Sequence, residues 1–308
     1  MKKIGFALIG KGKMGARWSL ILGKELLAVF GRDYTITSKN TFDAVLIATP
    51  HKYHALITRL ALKAGKHVLC EKPGAISSRE IKNNIELAKK MGLTYMIGYN
   101  CRFHDGFIQA RKLYKKGVIG DILFIRATFG FGGREGYEKE WRINKELSGG
   151  GHLHDQGVHM IDMVMSFMGK IDKVQGMRSD TYWGSGTEDN AFVLLKSGKS
   201  IASIHSSVTQ WKRKHTFEIY GTKGYLIIEG LGKRYGEPEK LIVGKRTKNS
   251  DVVKERIIKC DSIADHSLKL ELKEFLSAIK QGRQTTPSSL DAYKTLKIVE
   301  EVYRKDRP

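Results

Sequence analysis

An apolar run, Lys3 to Ile9, leads directly into Gly10-Lys11-Gly12-Lys13-Met14-Gly15, and a segment with helical apolar spacing, Ala16 to Leu22, follows at once. Strand, glycine loop and helix in that order is the setting in which GxGxxG has a mechanism. Gly10 permits the tight turn, Gly12 lets the backbone approach a pyrophosphate, and Gly15 lets helix and strand pack closely; the phosphates would rest on the helix N-terminus. A second strand, Leu26 to Phe30, ends where the adenosine ribose of a dinucleotide lies. An acidic residue there would take the 2′-hydroxyl of NAD, but the chain offers Gly31-Arg32, with Asp33 only behind them. Arg32 is placed to pair with a 2′-phosphate, which keeps NADP open beside NAD, or to stack on adenine with either.

Strands and helices then alternate. Ala44 to Ala48 runs into Thr49-Pro50, His54 to Ala64 is helical, His67 to Cys70 leads into Glu71-Lys72-Pro73, Ser77 to Met91 is helical, Thr94 to Gly98 is a strand, and a helix begins near Phe107. This order implies a parallel sheet with helices on both faces, and ligands bind beyond the carboxyl ends of such strands. Thr49, Glu71, Lys72 and Asn100 all fall at those ends. After Gly117 the pattern changes to longer alternating strands at 122–129, 174–182, 190–196, 200–208, 216–220 and 225–229, with hairpin reversals at Ser197-Gly198 and Gly221-Thr222-Lys223-Gly224. The expected fold is α/β plus α+β. A doubly wound, Rossmann-type parallel sheet occupies 1–118, and an open antiparallel sheet covered on one face by helices occupies 119–308. The other face of an open sheet needs a cover, and a second copy of the chain is the expected one, as a homodimer or homotetramer.

Three glycines run into three histidines and two aspartates in GGGHLHDQGVHMID, residues 149–162. The periodicity predicts a helix over 152–168, with 152, 155, 159 and 162 on one face and Asp155 and His159 neighbours four apart. A metal site of His152, His154 and His159 is disfavoured, because His154 would point away from that face and the lead-in is no zinc motif. Ordinary core or surface histidines remain the alternative to an acid/base pair.

These residues resemble the family of glucose–fructose oxidoreductase, inositol dehydrogenase and rhizopine catabolism proteins, which are NAD(P)-dependent sugar oxidoreductases. The resemblance covers nearly the whole chain. It rests on the Gly10–Gly15 loop, Ala48-Thr49-Pro50 with His54, Gly65-Lys66-His67-Val68 leading to Glu71-Lys72-Pro73, Gly98-Tyr99-Asn100 with Arg102-Phe103, Trp141-Arg142, and Gly149-Gly150-Gly151 through Asp155, Gly157, His159 and Asp162. It implies that Lys72, Asp155 and His159 are the catalytic set, whereas His152 and His154 occupy variable positions. The cofactor would meet Gly10, Gly12, Lys13, Met14, Gly15, Gly31, Arg32, Ala48, Thr49, Pro50, His54, Glu71, Lys72 and Asn100. The substrate would meet Lys72, Asn100, Arg142, Asp155 and His159. His159 suits the acid/base role because imidazole titrates near neutrality. Lys72 would bind the reacting oxygen, and the peptide before Pro73 is a candidate for the cis form.

One departure stands out. Members of the family carry a full helix and a further strand between the second strand and the Ala-Thr-Pro strand, and residues 31–43 are too few for both. Weaker or less selective adenosine recognition is expected. The expected activity is hydride transfer between NAD or NADP and a secondary alcohol or ketone of a sugar, a cyclitol or a nucleotide-linked sugar. Its rivals are a glycosidase or isomerase that retains and recycles its NAD, a non-catalytic nicotinamide-binding sensor or scaffold, and a zinc hydrolase.

Lysine and arginine exceed the acids by 22, which favours anionic partners and makes a phosphorylated or acidic sugar attractive. The densest basic stretch, Lys233 to Lys259, is interleaved with acids and glycines and reads as exposed hairpins, with no nucleic-acid motif. The two lysines before the first apolar run imitate a signal peptide, but the run is short, lacks a cleavage site and ends in the glycine loop. No apolar stretch approaches membrane-spanning length. Cys70, Cys101 and Cys260 are odd in number and widely spaced, neither a disulfide framework nor a zinc motif, and a reducing cytoplasm is the expected location. No metal and no nucleic-acid or membrane partner is expected.

Overall fold

The computed structural model describes residues 3–232, 235, 237–247, 253–260 and 266–306. The chain divides into two compact units, Met1–Asn100 with Asn144–Gly150 and Leu268–Lys297, and Cys101–Ile143 with Gly151–Ser267 and Ile298–Pro308. The sequence suggests one cut at 118/119. The units are instead discontinuous, because the chain returns twice to the first of them.

The first unit is a five-stranded sheet in the order β2-β1-β3-β4-β5, formed by β1 (Phe6–Ile9), β2 (Leu26–Phe30), β3 (Ala44–Ile47), β4 (His67–Glu71) and β5 (Tyr95–Gly98). Every pairing is parallel. Strands β1, β3 and β5 are buried at every position, the pattern of a parallel sheet covered on both faces. The helices of this unit are α1 (Lys13–Leu22), α2 (His54–Lys63) and α3 (Ser78–Met91). Helix α3 is N-capped by Ser77, whose Oγ accepts the Glu80 N–H at 3.4 Å and donates to the Glu80 carboxylate at 3.1 Å. Residues 31–43 hold neither helix nor strand, so β2 is left at the edge of the sheet. The segment is pinned at its C-terminal end. Asp43 accepts the Gly5 N–H at 2.9 Å, and Lys66 donates to the Asn40 carbonyl at 2.9 Å with its ammonium 5.3 Å from the centre of the Phe42 ring.

The second unit begins with α4 (Asp105–Lys115) and β6 (Ile122–Gly130), and the chain then visits the first unit through the short helix α5 (Lys145–Ser148). It continues with a π-helical turn (Leu153–Gly157), α6 (Val158–Met168), β7 (Lys173–Ser179), β8 (Asn190–Ser197), β9 (Ser200–Ser207), β10 (Lys214–Gly221), β11 (Gly224–Glu229), β12 (Lys240–Arg246) and β13 (Val253–Lys259). The eight strands lie in the order β13-β12-β11-β10-β6-β9-β8-β7. The expected antiparallel sheet carries one correction, since β6 and β9 pair in parallel. Between them the chain crosses over through α6, which packs on both strands, so β9 returns in the direction of β6. Helix α4 packs on β11 and β12. Alternate residues, among them Ile125, Ala127, Val193, Ile204, Phe217, Ile219, Leu226 and Leu241, form the core. Both expected hairpins form, β8–β9 and β10–β11. Strand β7 stops at Ser179, short of the expected 182, because the Asp189 carboxylate draws in the N–H groups of Thr181, Tyr182 and Trp183 at 2.9, 2.7 and 3.2 Å. Strands β12 and β13 lie within the basic stretch read from sequence as exposed hairpins. They form a hairpin whose β12 buries Leu241 and Val243, while residues 233–234, 236 and 248–252 of that stretch fall outside those described.

Helix α7 (Ser267–Gln281) brings the chain back to the first unit, and α8 (Ser289–Lys305) passes from the first unit into the second. The sequence pattern noted above singled out neither. Phe275 of α7 meets Phe6 of β1 with ring centres 6.1 Å apart, and both are fully buried. Among the described residues no helix is long and apolar enough to cross a membrane. Phe275→Ala would leave a cavity against β1, and the expected loss is about 3–5 kcal/mol, read as a lower urea midpoint for the first unit's transition. An unchanged midpoint would show that α7 is not needed to close that core.

Candidate functional site

In the first unit the glycine loop is set by backbone contacts. Gly10 has φ +119, and a Cβ there would lie 2.3 Å from the Ala48 carbonyl oxygen; one on Gly15 would lie 1.8 Å from the Gly10 carbonyl oxygen. Gly10 N–H donates to Phe30 O at 3.0 Å and Ala48 N–H to Ile9 O at 2.8 Å, so the ends of β1, β2 and β3 meet at the loop. Gly12 differs from its neighbours. Nothing lies within 4 Å of a Cβ built on it, so no packing within the chain demands a glycine. Gly12 caps α1 without a side-chain hydrogen bond, and the first turn holds no acid. Open backbone at the N-terminus of a buried-sheet helix fits a phosphate-bearing cofactor by geometry and by dipole.

Four further predicted residues gather at the strand ends of this unit. Glu71 accepts the Trp18 indole N–H at 2.7 Å; burial pushes its carboxyl pKa up, against the hydrogen bond from Trp18 and the charges of Lys72 and Arg17. The Lys72–Pro73 peptide is cis. His54 Nε2 bonds the Thr49 carbonyl at 2.8 Å, which ties the start of α2 to the end of β3. The Thr49 hydroxyl is buried with no hydrogen-bond partner among the described residues. Arg32 stands exposed just beyond β2. Cys70 is buried, and desolvation with the neighbouring Glu71 drives its thiol pKa well up, so it is a protonated core filler.

In the second unit the expected helix over 152–168 is present, but its first turn is π-helical. Single π turns interrupt helices most often where side chains must be re-aimed. Asp155 and His159 are 2% and 4% exposed, and Asp162 is fully buried. Asp155 Oδ2 accepts from Gln156 Nε2 at 3.0 Å and lies 3.3 Å from Arg142 Nε. The His159 ring stacks on Phe129 at 6.5 Å between centres, with 18° between planes. Asp162 is taken by Arg102 through two bonds of 2.6 and 2.5 Å, so it anchors α6. His152 is a core histidine whose Nδ1 bonds Ser206 Oγ at 2.7 Å. His154 is 2% exposed, not turned to solvent. Among the described residues no group of three or more His, Cys, Asp or Glu is placed to hold a metal. Arg142 serves carboxylates: besides Asp155 it bonds Glu140 at 3.1 Å. Burial opposes its charge, but Asp155 and Glu140 outweigh burial and raise its pKa.

Glu188 is the residue that sequence reasoning missed. It is 5% exposed, and it accepts from the N–H groups of Gly151 and Leu153, both at 3.1 Å, and from the Tyr303 hydroxyl at 2.7 Å. It therefore caps the turn that carries Asp155. Its only signal is the polar run Thr187-Glu188-Asp189-Asn190 before a strand, which resembles any surface loop. Tyr137 was missed as well. Burial, with Asp155 next in effect, pushes its phenol pKa well up, and its ring packs 5.0 Å from that of Trp183.

Family models match both halves of the chain. Residues 27–99 fit the oxidoreductase family's NAD-binding Rossmann fold, and residues 107–227 fit the GFO/IDH/MocA C-terminal domain. The chain belongs to the GFO/IDH/MocA oxidoreductase family. It is 34% identical over 206 residues to 2,7-anhydro-N-acetylneuraminate hydratase of Escherichia coli, a match covering 63% of this chain and 53%, about half, of that protein. It is 25% identical over 298 residues to levoglucosan dehydrogenase of Pseudarthrobacter phenanthrenivorans, covering 82% and 75% of the two chains. The solved structure of a levoglucosan dehydrogenase in complex with NADH shares the fold at a TM-score of 0.85 and 22% identity, over 99% of this chain and 98% of that one.

Two outcomes test these assignments. Glu188→Ala leaves two buried N–H groups and a buried hydroxyl without their acceptor, and a loss of about 3 kcal/mol in unfolding free energy is expected; a variant as stable as the parent would mean that Glu188 does not hold the turn. His215 has its pKa lowered to about 3 by burial first and His104 second. Its neutral form is thus favoured on folding. That contribution is full above about 6.5 and is lost as pH falls towards 3. His215→Phe should make the thermal midpoint fall less between pH 7.5 and 4.5 than it does in the parent, and equal falls would contradict the assignment.

Proposed function

We propose that the protein oxidises a secondary alcohol, or reduces the matching ketone, on a sugar, a cyclitol or a nucleotide-linked sugar, with NAD or NADP as partner. The observation that carries the reading is Gly12, a glycine with open space around it at an uncapped helix N-terminus, in a chain of this family. Gly10 through Gly15 would hold the pyrophosphate, Gly31 and Arg32 the adenosine side, and Ala48, Thr49, Pro50, His54, Glu71 and Asn100 the remainder. Bound there, the nicotinamide supplies a hydride acceptor or donor. Lys72, Asp155 and His159 are the proposed catalytic set. His159 takes the hydroxyl proton as the carbinol C–H bond breaks, and returns it in the reverse direction. Asp155, charge-balanced by Arg142, steadies the imidazolium. Lys72 binds the reacting oxygen and stabilises its developing negative charge.

His159→Ala should lower kcat by about 10²–10⁴ and Lys72→Ala by at least about 10², with NADH binding to His159→Ala unchanged, measured by stopped-time assays on a sugar and cyclitol panel. Full turnover by either variant would remove that residue from the set. A second reading has one observation in its favour, the similarity to a hydratase: the cofactor is retained and recycled, so that a sugar changes without net reduction of NAD. Quantifying NADH against altered sugar separates the two.

The outer face of the second unit's sheet supports a homo-oligomer. Met177, Phe192, Leu194 and Ile201 are 74, 58, 50 and 50% exposed there. Phe192→Glu is expected to halve the mass or less in sedimentation, and a parent that sediments as a monomer would refute the proposal. The three cysteines are buried and, among the described residues, none is in a disulfide, which supports a cytoplasmic location.

A further inference from the structure

The second unit contains a small open cleft that the assignments above leave unused. Phe129 and Phe131, at the end of β6 and just after it, form one wall, with Arg213 and Lys214 beside them at the start of β10. Tyr235 and Glu237 also line it. Its place in the unit gives it a role. Phe129 stacks on His159 from one side and meets His215, which also lines the cleft, edge-on at 5.5 Å. The cleft is thus one aromatic ring away from the proposed acid/base.

Its charge is available. Arg102, Arg142 and Arg178 each pair with a carboxylate, whereas among the described residues Arg213 and Lys214 form no ion pair, and both are exposed. The Arg213 guanidinium lies over the Phe131 ring, 5.6 Å from its centre, and so stands against the cleft wall. Burial and the neighbouring His104 keep His215 neutral, so among the described lining residues the positive charge comes from the two exposed side chains, with Glu237 as the acid. Aromatic walls accept the C–H face of a sugar ring, Glu237 can accept from hydroxyls, and a planar guanidinium beside an ammonium matches a carboxylate or phosphate.

We infer that this cleft is the subsite for the anionic group of an acidic or phosphorylated sugar, with Arg213 and Lys214 as its binding residues. The inference rests on the reading of His159 as the acid/base of a sugar oxidoreductase. The net charge of +22 shows only that the surface is basic, and the cleft gives part of that charge a location.

The test measures binding by tryptophan fluorescence in the full chain with NADH present. The probes are matched sets: glucose, glucuronate and glucose 6-phosphate; galactose and galacturonate; N-acetylneuraminate and its methyl ester. At least one anionic member should bind tenfold or more tightly than its neutral counterpart, and the double variant Arg213→Ala/Lys214→Ala should cut that preference below twofold. A thermal melt confirms that the variant is folded, as expected for two exposed side chains. Preference for the acid but not the phosphate, or the reverse, identifies the group. The inference falls if no anionic member is preferred, or if the preference survives in the double variant. Oxidation assays on the same probes, with oxidised NAD or NADP in place of NADH, keep the two claims apart. Turnover without charge preference overturns the subsite alone, and a charge preference lost in the double variant, with no hydride transfer to any probe, overturns the oxidoreductase reading alone.

Discussion

The contact between Gly15 and Gly10 is the constraint on which the first unit depends. With a Cβ on Gly15 only 1.8 Å from the Gly10 carbonyl oxygen, no other residue allows α1 to begin directly off the end of β1. That abrupt start puts an uncapped helix end at the carboxyl edge of the sheet, beside the ends of β2 and β3. It also sends α1 back along the sheet at an angle that brings Trp18 onto Glu71, the residue before Lys72. A backbone-on-backbone contact therefore sets both where an anion can bind and where the strand-end side chains stand.

The second unit meets a similar problem and solves it in the opposite way. The turn that starts at Gly151 also has N–H groups without helical partners, but Glu188 takes two of them and is itself held by Tyr303. One helix end is closed by the chain's own carboxylate, and the other is left open with no acid in its first turn. The difference separates a structural terminus from a ligand-binding one. The closed terminus holds Asp155 and His159 on a fixed frame, with Arg102 gripping Asp162 one turn further along.

The parts legible in the sequence are those set by local pattern. GxGxxG, the β/α alternation, the hairpins at Ser197-Gly198 and 221–224, and the shortness of 31–43 are all short-range signals, and each has its counterpart in the structure. The parts that escaped depend on residues far apart in the chain. Glu188 looks like a loop residue until β8 places it beneath Gly151. The parallel pairing of β6 and β9 follows from a crossover through α6, which strand propensity cannot reveal. The sequence did not reveal that Arg142, an expected substrate ligand, also lies between Asp155 and Glu140, because the loop after β6 returns it to the same turn. Helix α7 is an ordinary amphipathic helix, and only the Phe6–Phe275 contact shows that it belongs to the first unit.

The most direct test of the account is a paired titration of NADH and NADPH, followed by energy transfer from tryptophan, on the parent protein and on Gly12→Val, both freed of any co-purified nicotinamide. Gly12 has φ −76 and ψ −172, a conformation that valine adopts without strain, and a Cβ there has nothing within 4 Å. The account predicts that the parent binds at least one of the two, and that Gly12→Val loses about a hundredfold or more in affinity while its thermal midpoint stays within a few degrees of the parent's. Equal binding by parent and variant, or no binding by the parent, would contradict it.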